Sequence, residues 1–515
     1  DDARRVWACF DQPDLKAPHA FTVTAPESWT VTSNTAPDEI AAVDEGARVW
    51  RFPDTPPLST YVVVINAGPF YELRREIGGH SLGLYSRQST RAFLDRDAEE
   101  LFDLTARGLA FFGERFGQRF PQERYDQVFV PNMGGAMENW GCVTWTDAVL
   151  FRTAPTYAER AMRAEVLLHE MAHMWFGDLV TMRWWDDLWL NEAFASWAAT
   201  WACVNATEYV DGWATFLARL EIEGYRMDMG PASHPIRGVV PDVSVAMANF
   251  DAITYQKGES VLRQLVAHVG EEAFVEGLRA YFRDHAWGNT RLADLMGAVG
   301  AAAGRDLTEW TRLWFDQAGT DTIRLEPGEG GARLSVTAPH GGPRPHTLLV
   351  GSYALRGDAL DLVERTRVDT AGPVVPVGLP AADLHLLNDE DHTFAAVRTD
   401  PASLEVLLAR GGGLPTPLAR AVAVGTTWDM LQKGELTPAD FLTSVLGVLR
   451  TERTPGVVGP FLGLAVATAE EWSPTSGVAA ARHSLADVAL VLAEDPDLRI
   501  QALQVVAGAA STDAH

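Results

Sequence analysis

His169-Glu170-Met171-Ala172-His173, inside the helical run AMRAEVLLHEMAHMWFGD, constrains the fold more than any other feature of the chain. Four residues turn an α-helix through about 400°, so the two histidines share one face, about one turn apart. Two imidazoles so placed can grip one zinc ion, at about 2.0–2.1 Å each. Glu170 stands too close to His169 to be a third ligand from the same helix, but its carboxylate can serve as a general base beside the metal. A catalytic zinc needs a third protein ligand and an open position. Glu192, in TMRWWDDLWLNEAFASWAATW, is the candidate, after an 18-residue spacer from His173. That spacer suffices to end one helix, turn a loop and start a second helix alongside, which brings Asn191 and Glu192 to face the histidines. The bare pentapeptide arises by chance in about two sequences per hundred of this length, so the second-helix carboxylate carries much of the weight.

A chain of 515 residues implies roughly three or four domains. Asp and Glu number 69 against 42 Lys and Arg, a formal charge of −27. That balance disfavours nucleic acid and anionic membrane surfaces, both of which need cationic patches. It implies a solvated surface, with a field that favours cationic ligands such as free amino termini. Three cysteines, Cys9, Cys142 and Cys203, cannot build a disulfide framework and lack metal-site spacing, which points to inert thiols in a reducing, cytoplasmic setting. No run of 18 apolar residues is present, so no membrane span is expected.

Along the chain, the first 70 residues read as β, in short segments such as AFTVTA and TYVVVINA between turn residues. From about residue 97 the pattern turns helical, with Phe102, Leu109, Phe112 and Phe116 on one face and Leu101 and Leu104 beside it. A strand, QVFVP, leads into a Gly-rich stretch at 134–141, and helices dominate from 156 to about 318. Alternating runs after Gly319 predict an all-β module of about 90 residues. GGGLPTP at 411–417 reads as a linker, and amphipathic helices follow it. The tryptophans at 175, 184, 185 and 189 read as core rather than as a substrate shelf.

HExxH, 18 residues and Glu resembles the gluzincin metallopeptidases. Gly134-Gly135-Ala136-Met137-Glu138-Asn139-Trp140-Gly141 is similar to the GAMEN exopeptidase motif of the aminopeptidase N family, and Tyr255-Gln256-Lys257-Gly258 to that family's Tyr-x-Lys-Gly segment. DARRVWACFDQPDLKA, NEAFASW and ANFDAITYQKG add to the likeness, which is strongest over residues 1–320. The later β and helical segments look most like the actinobacterial branch. The resemblance implies a multidomain α+β fold: the C-terminal part of an N-terminal β domain (1–69), a thermolysin-like catalytic domain (70–319), a β-sandwich (320–409) and the start of a helical C-terminal domain (410–515). It also implies a fragment lacking both ends, without the upstream segment that supplies a further contact to the substrate's amino group.

In function the resemblance implies a zinc aminopeptidase, with one zinc on His169, His173 and Glu192 and peptides with free amino termini as partners. No nucleic acid, no membrane span and a monomer are expected. Glu170 and Tyr255 would be catalytic: the first as general base, the second as hydrogen-bond donor to the oxyanion. Gly135, Ala136, Met137, Glu138 and Asn139 would bind substrate, with Glu138 pairing with the α-ammonium and the Gly135-Ala136 backbone running beside the peptide. Gly134 would leave the first-residue pocket roomier than a larger residue does. Three other readings compete. An epoxide hydrolase of the leukotriene A4 hydrolase type has a related Gly-Met-Glu-Asn segment, but Ala136 favours the aminopeptidase. A thermolysin-like endopeptidase is disfavoured by Glu138, and a non-enzymatic scaffold by the intact constellation.

Overall fold

The structure, a computed structural model, describes residues 3–43, 46–328 and 331–510, so the extreme residues of both chain ends quoted above lie outside the described residues. The fold is multidomain α+β.

Five short strands occupy the region before residue 70. Phe21–Pro26, Ala47–Phe52 and Glu39–Val43 form an antiparallel sheet with Ala47–Phe52 at its centre, and Thr30–Ser33 pairs with Ile65–Gly68. TYVVVINA is therefore only partly a strand: Thr60–Val62 is a single 3₁₀ turn, and pairing starts at Ile65.

A five-stranded mixed sheet comes next, in the order Phe70–Ile77, His80–Arg87, Arg124–Val130, Cys142–Thr146, Ala136–Met137. The two inner pairings are parallel and the two outer ones antiparallel, so Ala136–Met137 is an edge strand. The helix Arg91–Arg115 begins six residues before the hydrophobic period becomes regular, because RAFLD buries only Leu94 in its first turn. The six apolar residues assigned to its buried face are all buried.

Tyr157–Ala172 begins at a capping box between Thr156 and Glu159 and ends at His173. Leu188–Ala206 packs against it and is buried along almost its whole length. Most of its faces pack against apolar residues, and Asn191, Glu192 and Ser196 face the histidines and the cavity. Thr181–Met182, between the two helices, pairs in parallel with Asn289–Thr290 and fixes the crossing loop. The largest hydrophobic cluster runs from Leu58 to Phe315, with Phe394 added from beyond Gly319, and these helices lie inside it.

Beyond Gly319, a four-stranded and a three-stranded sheet face each other across a core that includes Ile323, Leu334, Leu348, Val350 and Val397. The helices after residue 400 have their own core, which also takes in Tyr353, Leu360, Leu384 and Leu386 from the sheets. The glycines at 411–413 are not a linker. They form a 3₁₀ turn directly after the helix Pro401–Arg410. A Cβ on Gly412 would collide with the Gly447 carbonyl and one on Gly413 with that of Asp358. Glycine is needed there for close backbone approach, a demand that composition does not distinguish from flexibility. No helix among the described residues is long and apolar enough to cross a membrane.

Arg163 anchors the histidine-bearing helix. Its guanidinium is fully buried and donates to Asp97 (2.6 Å), Glu100 (2.9 Å) and the Val149 carbonyl (3.1 Å). Removing Arg163 strips Asp97 and Glu100 of a fully buried cation and leaves them the more exposed Arg96 and Arg160. Arg163→Met is therefore expected to lower the thermal midpoint clearly, whereas Arg312→Met, which breaks the exposed pair with Glu309, leaves it unchanged. Differential scanning calorimetry of the two variants checks this.

Candidate active site

The two ligand helices bring His169, His173 and Glu192 together, with one donor atom from each within 4.8 Å of the others. The Nε2 atoms of the histidines lie 3.1 Å apart, and Glu192 Oε2 lies 3.4 Å and 3.5 Å from them. Each imidazole is oriented from behind. His173 Nδ1 donates to the Phe176 carbonyl (3.0 Å), and His169 Nδ1 faces the Ser196 hydroxyl (3.3 Å). Such contacts fix ring orientation and leave Nε2 for a cation. Ser196 was not expected, yet it lies four residues after Glu192 and so on the same helix face.

The three residues line a cavity of about 490 Å³. Glu170 also lines it, and its Oε2 is buried with no hydrogen-bond partner. Burial, then the nearby Glu138, pushes the Glu170 carboxyl well above the ordinary range. Burial also raises Glu138 and Asp178. Burial alone would lower His173, but Glu138, Glu192 and Glu170 outweigh it and raise the imidazole to about 10. Burial dominates at His169 and lowers it, while hydrogen bonds from both histidines overcome burial at Glu192 and lower that carboxyl strongly. Glu138, Glu170 and Glu192 thus line one cavity with two imidazoles, with Asp178 buried nearby. The donor set of two imidazole nitrogens and a carboxylate oxygen fits zinc.

The edge strand delivers the GAMEN residues to the same cavity. Ala136, Met137 and Glu138 line it, with Glu138 only 8% exposed. Gly135, at φ +82°, is exposed and hydrogen-bonds through its carbonyl to Thr146 N–H (2.8 Å), outside the lining. Gly134 is likewise exposed, with nothing within 4 Å of a built Cβ. Asn139 does not line the cavity either. Its side chain accepts from Thr144 (2.8 Å) and its backbone closes the turn into Cys142. Trp175 and Trp189 are core, but Trp185, though buried, has its ring in the cavity wall together with Met182 and Leu188, so it is not core alone.

Tyr255 sits in a single π-helical turn, Ile253–Lys257, with its ring 6.4 Å from that of His169. Burial, then Glu192 and Glu138, holds its hydroxyl far above the usual phenol range, so it stays a donor. Both ends of the turn are pinned. Asp251 accepts from the N–H groups of Ile253 (2.8 Å) and Thr254 (3.1 Å). At the other end, buried Lys257 donates to Asp228 (2.9 Å) and to the Gly319 carbonyl (3.3 Å). The spacing of the motif carried no sign of Asp251, Asp228 or their partners.

The fold and site have the arrangement of the HExxH-plus-glutamate class of metallopeptidases. The peptidase family M1 domain matches residues 100–314 and the peptidase M1 N-terminal domain residues 1–62, and the chain belongs to that family. It is 43% identical over 485 residues to aminopeptidase N of Streptomyces lividans, an alignment covering 89% of this chain and 56% of that protein. It is 32% identical to aminopeptidase 2 of Candida albicans (65% of this chain, 36% of the relative) and 35% identical to mitochondrial aminopeptidase 2 of Saccharomyces cerevisiae (64% and 34%). The chain thus spans about half the length of the first and about a third of the other two.

The Asp251 clamp has a pH signature. His234 Nε2 faces the Asp251 carboxylate (2.8 Å) and Nδ1 faces the Pro235 carbonyl (2.8 Å), so both nitrogens donate and the ring is an imidazolium. The Asp251 hydrogen bond raises His234 above its ordinary 6.5. Its stabilisation is complete below pH 6.5 and is lost as pH rises through the raised value. The pair also holds Asp251 below its ordinary 3.8 despite burial, so that contribution is present above 3.8 and lost only at more acid pH. The gap in thermal midpoint between wild type and His234→Gln should therefore be widest between pH 4 and 6.5 and narrow above it. Melting curves across pH 4–9 check this.

Proposed function

We propose that this chain is a zinc aminopeptidase that hydrolyses the first peptide bond of peptides with a free amino terminus. One observation carries the reading: Glu138, at the end of an edge strand, shares a cavity with Glu170 and the His169–His173–Glu192 trio. The names of the relatives and the zinc dependence of M1 peptidases support it.

His169, His173 and Glu192 would hold the ion. Bound zinc polarises a scissile carbonyl and makes water a stronger acid. The Glu138 carboxylate pairs with the α-ammonium of the substrate and sets the register of the chain. The Ala136–Met137 edge offers backbone groups to an extended peptide, as sheet edges do in peptide recognition. Glu170, through its unpartnered Oε2, takes the proton of the attacking water and passes it to the leaving amine. A carboxyl raised by burial is suited to both transfers. Tyr255, held protonated, donates to the developing oxyanion. The three cysteines, all free thiols, support a reducing, cytoplasmic setting.

An aminoacyl-anilide panel on metal-stripped and zinc-restored protein tests the reading. Activity should return with zinc, N-acetylated substrates should resist cleavage, and Glu170→Gln should lose about 10²–10⁴ in kcat while still binding zinc. Equal cleavage of acetylated substrates, or a fully active Glu170→Gln, contradicts it.

A further inference from the structure

The segment Ser59–Val64 comes from the β region before the five-stranded sheet, yet it lines the cavity and bonds to the loop after Glu138, the segment after His173 and the residue before Glu192. Thr60, Tyr61 and Val63 line the cavity. The Val62 carbonyl accepts from Trp140 N–H (3.2 Å), two residues beyond Glu138. Asn34 doubles that link: its Nδ2 donates to the carbonyls of Val62 and Trp140 (both 2.9 Å), and its Oδ1 accepts from Val64 N–H (3.0 Å).

Tyr61 makes the second connection. Its hydroxyl donates to the Gly177 carbonyl (3.2 Å) and accepts from Asn191 Nδ2 (3.1 Å). Gly177 follows His173 by four residues, and Asn191 directly precedes Glu192. The three groups converge closely. Gly177 has φ +120°, and a Cβ there would lie 3.3 Å from Asn191 Nδ2, 3.3 Å from His173 Nδ1 and 3.4 Å from the Tyr61 hydroxyl. The Tyr61 hydroxyl is buried, and its ring packs edge-on to Trp185 at 5.9 Å.

We propose that Tyr61 is a positioning residue for the metal site, a hydroxyl from outside the helical core that ties the segment after His173 to the start of the Glu192 helix. This rests on the metal-site reading above. Through the same strap, Asn34 and Val62 fix the Glu138 loop to that assembly, so one segment gauges the distance between the amine-binding carboxylate and the three ligands. Loss of a group that orients metal ligands from behind costs about 10–100-fold in metal affinity.

The test is the zinc dissociation constant of the full chain, measured by competition with a chromophoric chelator. Tyr61→Phe removes the bridging oxygen and should weaken zinc binding about 10-fold, the lower end of the range for a direct partner of a ligand, because Tyr61 bonds to Gly177 and Asn191 and to neither ligand. Asn191→Ala breaks the same link from the other end and should do likewise, with the double variant no weaker than the weaker single one. Tyr353→Phe, which removes a buried hydroxyl bonded to Asp389 in the β-sandwich, serves as control and should bind zinc as wild type does. Unchanged zinc affinity in Tyr61→Phe, or equal weakening in Tyr353→Phe, overturns the proposal and leaves the metal site standing. A wild-type chain that takes up no zinc overturns both. Should Tyr61→Phe fail to fold, Asn191→Ala decides: wild-type affinity there sinks the proposal.

Discussion

Glu138, Glu170 and Glu192 line one cavity with His169 and His173, between two packed helices and an edge strand, with Asp178 buried nearby. An uncompensated ion in such a place costs several kcal/mol. Nearby positive charge is sparse: His173 within the site, and Lys16, whose Nζ lies 3.0 Å from the Gly288 carbonyl and 3.4 Å from that of Asp178. We propose that cations offset this imbalance, one held by His169, His173 and Glu192 and one by Glu138.

Holding such a site needs rigidity from several directions. Arg163 fixes the histidine helix to Arg91–Arg115, and the Glu192 helix is buried along almost its whole length. Asp251 and Lys257 pin the two ends of the Tyr255 turn, and the Lys257 pair with Asp228 reaches the chain where it enters the β-sandwich at Gly319 and Thr320. The strap at Ser59–Val64 closes the remaining side. Each restraint comes from a different part of the chain, so the cavity is a product of the multidomain assembly and not of the HExxH helix alone.

The periodicity of AMRAEVLLHEMAH was enough to place both histidines on one helix face, and the structure places them there. Glu192 needed the spacer argument and the family resemblance together, because a lone glutamate on an apolar helix carries no address. Ser196 was within reach, since i+4 from Glu192 is a spacing that sequence shows. Tyr61, Asn34 and Asp251 were not, because their partners lie far along the chain or in a turn whose geometry the motif does not encode. The glycines at 411–413 misled for a physical reason: flexibility and close backbone approach select the same residue. Trp185 is buried core, as its composition implies, and it also lines the cavity, which composition does not show.

The account turns on Glu138 reading a cationic amino terminus beside the metal ligands. The most direct measurement is calorimetric binding of leucine hydroxamate and its N-acetyl analogue to the zinc-loaded protein, with and without Glu138→Ala. The expected result is strong preference of the wild type for the free amine and loss of that preference in Glu138→Ala. Equal binding of both ligands to the wild type, or a preference that survives Glu138→Ala, would contradict the account.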